Sequence, residues 1–176
     1  MYRGLFIGRF QPFHNGHLEA TKYILEKVDD LILVVGSAQH SHSLDNPFTA
    51  GERISMIRLA LKEAQIDPAR YLIVPVSDVI LHSTWFSKLY SYVPQFEVVY
   101  SNEPLTCRLI KEAGCIVENI PLFKREIYRA TEIRKRMLSG GTWTNLVPKS
   151  VVKFIKLHDG VERIKDLAQI DIKTNK

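Results

Sequence analysis

A doubly wound parallel α/β sheet is the fold this sequence predicts, and three observations predict it. Short apolar runs, of which Leu31-Ile32-Leu33-Val34-Val35 is the purest, read as strands buried on both faces. Stretches of helical periodicity alternate with these runs along the whole chain. No linker, internal repeat or low-complexity segment interrupts the 176 residues, so a single domain over 1–176 is expected. In such sheets a ligand lies beyond the strand C-termini, where the strand order reverses.

Arg3-Gly4-Leu5-Phe6-Ile7 opens the alternation as the first buried strand. Gly8 to His17 reads as a loop into a helix beginning near Leu18; Leu18, Thr21, Leu25 and Val28 recur there at helical spacing, and Asp29-Asp30 closes it. Leu31 to Val35 is the second strand, and the stretch from Gly36 to Phe48, rich in Ser, His, Asn and Pro, is a loop. Thr49-Ala50-Gly51-Glu52 has the capping-box form, with Ile54, Ile57, Leu61 and Ala64 facing inward behind it. Tyr71 to Val76 is the third strand, a helix runs around Trp85 to Tyr92, and Phe96 to Tyr100 is the fourth strand. Glu103-Pro104 starts a helix reaching about Ala113, and Cys115-Ile116-Val117 is a short fifth strand. Thr131 reads as the N-cap of a helix ending before Gly140-Gly141. C-terminal helices, about 148–170, are expected to pack on this domain.

The formal charge of +5 suits nucleic acid, a membrane surface or small polyphosphates, and does not choose among them. The basic residues are scattered rather than striped, so no nucleic-acid partner is expected, and no membrane either, since the apolar runs fall far short of the ~20 residues of a membrane helix. Cys107 and Cys115 lack a His or Cys at metal spacing and read as reduced thiols of a cytoplasmic protein. The first strand begins almost at Met1, which leaves no signal peptide in this reading.

The opening loop concentrates the chemistry. His14 and His17 stand three residues apart at a helix start, where unpaired backbone N–H groups favour anions. Imidazoles placed there can donate to phosphate oxygens, with Arg9 adding charge; spacing leaves capping or surface histidines open as the alternative. A metal site is disfavoured because no third ligand is evident. The absence of G-x-G-x-x-G, of a Walker A loop and of G-x-S-x-G disfavours hydride transfer, P-loop hydrolysis and an esterase triad. A second constellation, Tyr128 to Arg136, puts Arg134 in the first turn of the helix capped by Thr131. An arginine there opposes the helix dipole, and a ligand anion would resolve the conflict. Lys135 and Arg136 read as a solvated basic face.

These residues resemble the nucleotidyltransferase superfamily that carries the HxGH motif. His14-Asn15-Gly16-His17 matches its first signature, and Thr131-Glu132-Ile133-Arg134 matches the end of its second. Gly8 to His14, Gly36-Ser37-Ala38-Gln39, Asn46 to Arg53 and Gly160-Val161-Glu162-Arg163 look like the archaeal nicotinamide-mononucleotide (NMN) adenylyltransferases, over nearly the whole length. The resemblance implies a Rossmann-like fold and the conversion of ATP and NMN to NAD and pyrophosphate, with Mg²⁺ held by the ATP phosphates. Within the enzyme class the alternative is another phosphate acceptor, phosphopantetheine or FMN; outside it, a basic nucleic-acid-binding module.

The resemblance further implies that His14, His17 and Arg134 are catalytic, and that Gly8, Arg9, Phe10, Gly16 and Thr131 join them around ATP. Ser37, Gln39, Asp78, His82, Trp85 and Phe123 would bind the nicotinamide nucleotide, with Trp85 stacked on the cationic ring. Arg125 matches as well, and a homo-oligomer is implied, a hexamer being the candidate. Four positions depart from the family pattern. Arg129-Ala130 replaces a Ser-Gly pair, Asp45 stands where some relatives carry Arg, and His82 stands where several carry Asn, which leaves the choice between amide and acid mononucleotide open.

Overall fold

The computed structural model describes residues 1–123 and 126–174, and its contacts sort into two compact units. The first comprises Met1–Arg9, Glu19–Gln39 and Ile66–Leu122; the second comprises Phe10–Leu18, His40–Gln65 and Phe123–Lys176.

The first unit holds a five-stranded parallel sheet made of β1 (Arg3–Gly8), β2 (Asp30–Val35), β3 (Tyr71–Pro75), β4 (Val98–Tyr100) and β5 (Ile116–Glu118). Their spatial order is β3-β2-β1-β4-β5, so the winding reverses at β1 as the alternation predicts. Phe6 lies opposite Leu33 on one side and Tyr100 on the other. Leu31 to Val35 are at most 1% exposed, which is why β2 reads as an unbroken apolar run. Leu5, Ile32, Val34 and Val99 pack with Leu89 of a helix α3 (Trp85–Tyr92) and Ile110 of a helix α4 (Pro104–Glu112).

Element boundaries differ from expectation for local reasons. The helix α1 (Asn15–Leu25) starts three residues before Leu18, because the Leu18 N–H donates to the His14 carbonyl at 3.1 Å and closes the turn there. Asp30 does not end α1 but opens β2. Phe96 packs against the core cluster instead of pairing in β4, and Cys115 donates back to Ile110 O at 3.1 Å, one residue before β5 begins. Cys107 and Cys115 are free thiols. Among the described residues, no helix is long and apolar enough to cross a membrane.

The second unit contains the first turn of α1, α2 (Ala50–Glu63), α5 (Ala130–Ser139), α6 (Lys149–Leu157) and α7 (Gly160–Thr174). The capping box forms at α2: Glu52 N–H donates to Thr49 Oγ1 at 3.2 Å, and Thr49 N–H donates to Glu52 Oε2 at 2.8 Å. Arg163 of α7 extends it, donating to both Glu52 oxygens at 2.8 Å and to Pro47 O at 3.2 Å. Gly160 lets α7 approach, since a Cβ there would meet the Phe48 ring at 2.9 Å.

Burial pushes the Glu52 carboxyl up, but the bonds from Arg163 and Thr49 outweigh it and hold the group below its ordinary 4.5. Glu52 therefore stabilises the fold above that unfolded value, and the contribution is lost as pH falls through the folded value. Glu52→Gln is expected to cost about 2 kcal/mol at pH 7, and the cost should shrink as pH falls below 4.5. Urea titrations from pH 7 downward check this, and a loss that does not change with pH would refute it.

Candidate active site

His14 ends the loop before α1, and His17 is the third residue of that helix. Their rings stack with centroids 3.5 Å apart and planes 17° apart. Each Nδ1 accepts a backbone N–H from the other residue, His14 N to His17 Nδ1 at 3.3 Å and His17 N to His14 Nδ1 at 3.2 Å. An accepting Nδ1 carries no proton, so in each neutral ring the N–H is at Nε2. Gly16 makes the arrangement possible. A Cβ there would lie 2.9 Å from Tyr128 Cβ and 3.1 Å from His14 Nδ1.

Phe10 and Phe13 enclose His17, with ring centroids at 4.8 and 5.5 Å. Burial drives the His14 pKa down to about 3, against its own backbone hydrogen bond. Burial also holds His17 well below its ordinary value, and the neighbouring His14 adds to the effect. Both imidazoles are thus neutral donors near pH 7, suited to an anion and unsuited to taking up a proton. Phe10 adopts φ 51°, a left-handed conformation that costs a side-chain-bearing residue ~1–3 kcal/mol and clusters at functional sites.

Thr131 is not the cap of α5. The helix begins at Ala130 after an extended Arg129, whose carbonyl accepts from Ile133 N–H at 3.0 Å. Thr131 is exposed within the first turn, and Arg134 sits two residues deeper than the sequence suggests, in the second turn, where the conflict with the dipole fades. Arg134 is 6% exposed. Its Nη1 donates to Gln11 O at 2.9 Å and its Nη2 to Asp45 Oδ1 at 3.2 Å. Asp45, which the sequence marks only as a departure, thereby supplies an exposed counter-ion.

Gln11 is a residue that the motif reading passed over. Its buried amide donates to Phe48 O at 2.9 Å and accepts from Phe48 N–H at 3.0 Å, tying the loop of the first histidine to the loop before α2. The available signal was a polar side chain within Phe10-Gln11-Pro12-Phe13, since a buried amide requires partners.

In the first unit, a cavity of about 410 Å³ opens beyond the C-terminal ends of the strands. Gly8 ends β1 and Arg9 follows it, Ser37 follows β2, and Asp78, His82 and Trp85 follow β3 around its wall. Ile7, Val34, Val76 and Leu109 supply apolar lining, and Trp85 also packs on the core cluster. Asp78 is held from three directions: Ser37 Oγ donates to Oδ1 and Gln39 Nε2 to Oδ2, both at 3.1 Å, while Asp78 N–H donates to Gln39 Oε1 at 3.0 Å. Gln39 thus orients a wall residue. Lys88 Nζ donates to Ser77 Oγ at 2.6 Å and Asp78 O at 3.1 Å, fixing the same loop.

Glu103, which the sequence marks only as a helix start, and Thr106 of α4 also line the cavity. Phe123 is half-buried and opens the last segment of the second unit. Arg125 lies outside the described residues. Among the described residues, no three His, Cys, Asp or Glu side chains gather as metal ligands.

The fold and the histidine pair define the class. Residues 5–136 match the cytidylyltransferase-like family model. Relatives described as nicotinamide-nucleotide adenylyltransferases include one from Saccharolobus solfataricus, 47% identical over 97% of this chain and 99% of its own length. Another, from Archaeoglobus fulgidus, is 49% identical over 96% of this chain and 99% of its own. The chain belongs to the nicotinamide-nucleotide adenylyltransferase family, a family of nucleotidyltransferases. Two crystal structures of a bifunctional NMN adenylyltransferase/ADP ribose pyrophosphatase from Francisella tularensis share the fold, each with a TM-score of 0.80, at 22% and 24% identity. They cover 98% of this chain, which spans about half of that protein (55% and 54%); one contains AMP and a Mn ion.

Proposed function

We propose that the protein transfers AMP from ATP to NMN, giving NAD and pyrophosphate. The observation that carries this is identity of 47–49% over nearly the full length to relatives described by that activity. An NMN phosphate oxygen attacks the α-phosphorus of ATP, the bond to the bridging oxygen breaks, and pyrophosphate leaves. The phosphate is already ionised near pH 7, so the reaction needs no general base. Catalysis then rests on position and charge.

The Nε2–H groups of His14 and His17 donate to the ATP phosphates, and Arg134 and Arg9 add charge. Mg²⁺ enters with ATP as part of that substrate. Trp85 covers the pyridinium ring, with Asp78 and His82 beside it and Ser37 and Gln39 holding Asp78. Self-association into a homo-oligomer belongs to the same reading.

The test is an assay with ATP, Mg²⁺ and either nicotinamide or nicotinate mononucleotide. Failure to form a dinucleotide from either would defeat the proposal. Trp85→Ala is expected to raise KM for the mononucleotide about 10-fold, the scale of a lost cation–π contact, with little change in KM for ATP. An effect confined to ATP would refute the stacking role.

A further inference from the structure

Val76 leaves the sheet still tied to the β2 side: its N–H donates to Val35 O at 3.0 Å, and its carbonyl accepts from Ala38 N–H at 3.1 Å. The chain then runs from Ser77 to Thr84, with one short 3₁₀ turn at His82–Thr84, before α3 begins at Trp85. Asp78 near the start of this segment and Trp85 just past its end both line the cavity. A loop of this kind does not by itself fix how far its two ends stand apart, because each residue contributes two soft dihedrals.

One side chain joins the two ends. Lys88 follows Trp85 by three residues on α3, so the two share a helix face. Its ammonium reaches back 11 and 10 residues, donating to Ser77 Oγ at 2.6 Å and to Asp78 O at 3.1 Å. Hydrogen bonds from a charged donor are the stronger class. The helix end of this bridge is anchored in turn, since Leu89 is fully buried and Trp85 and Phe86 pack on the same core cluster. Lys88 thus holds the main chain of Asp78, while Ser37 and Gln39 hold its carboxylate.

We infer that Lys88 is a positioning residue for the mononucleotide: by bridging α3 to Ser77 and Asp78, it sets the gap between the Trp85 and Asp78 walls of the cavity. The inference rests on the proposed adenylyl transfer, in which the ring end of the mononucleotide lies at these walls. A gap fixed in advance spares the ligand the cost of ordering the loop. Without the bridge, apparent affinity falls with the fraction of molecules whose walls are in place. The groups proposed to hold the ATP phosphates, His14, His17 and Arg134, lie in other segments of the chain, so the effect falls on one substrate.

The experiment measures kcat, KM for each substrate and urea unfolding for Lys88→Met, Lys88→Arg and Ser77→Ala. Methionine keeps an unbranched apolar stem and donates nothing. Lys88→Met is expected to raise KM for the mononucleotide about 10-fold, the scale of a lost charge-assisted hydrogen bond, and to leave KM for ATP within about twofold. Lys88→Arg keeps the charge and the donors, and should bring KM for the mononucleotide back to within about threefold of the wild type. Ser77→Ala removes one of the two acceptors and should raise the same KM about 3-fold, which tests the bridge even if Lys88→Met does not fold. An unchanged KM for the mononucleotide in Lys88→Met and Ser77→Ala, or equal rises for both substrates, would overturn the inference while leaving adenylyl transfer standing. So would a Lys88→Arg variant as impaired as Lys88→Met, or a loss of stability in urea with no shift in that KM. No dinucleotide from the wild type with either nicotinamide or nicotinate mononucleotide would remove the reaction on which the inference rests, and the inference with it.

Discussion

His17→Ala is expected to lower kcat by about 10²-fold or more, the cost of removing one preorganised donor to transition-state charge. The argument begins with the tautomer. The His14 N–H donates to His17 Nδ1, so the ring proton is at Nε2. Burial keeps the ring neutral, and the stacked His14 together with Phe10 and Phe13 fixes its plane. A donor held this way needs no reorganisation when charge develops at phosphorus. Because the ring stays neutral, the ratio of wild-type to variant kcat should be level from pH 7 to pH 9. Single-turnover rates across that range check both statements. Full kcat in the variant would remove His17 from catalysis, and a ratio that varies with pH would make it a proton carrier.

Arg134→Lys is the second large effect. An ammonium keeps the charge but lacks the planar fork that donates to Gln11 O through one nitrogen and to Asp45 through another. Substitution leaves the buried Gln11 carbonyl short of a donor and loosens the loop that carries His14. In the proposed reaction it also replaces a planar guanidinium at the ATP phosphates by a point charge. A fall in kcat/KM for ATP of about 10²-fold is expected, together with a loss of ~2–4 kcal/mol of stability from breaking a buried charged hydrogen bond. KM for the mononucleotide should move little. Initial-rate kinetics with each substrate varied, alongside urea unfolding, separate the two parts. A lysine variant with kcat/KM within twofold of wild type would show that the fork is dispensable.

Local patterns were legible wherever the interaction is local. The apolar run of β2, the four residues of the capping box and the Pro at the start of α4 each act over a few positions, and each appears where the sequence places it. The histidine spacing was legible for the same reason, since residues three apart share a helix face. Thr131 misled because a cap depends on where the chain turns into its helix. That turn is set at Arg129, whose side chain makes no cap bond.

The sequence alone determined the order of strands and helices, the HxGH loop after the first strand and the family resemblance, because periodicity and motif spacing reside in neighbouring residues. Only the tertiary structure decided the protonation of the two histidines, since burial and the Nδ1 contacts depend on how the loop folds back on itself. It also decided the partners of Arg134 and of Glu52, because Gln11 and Arg163 are 123 and 111 residues away from them along the chain. Chain folding brings such groups within 3 Å of each other without leaving a periodic trace in the sequence.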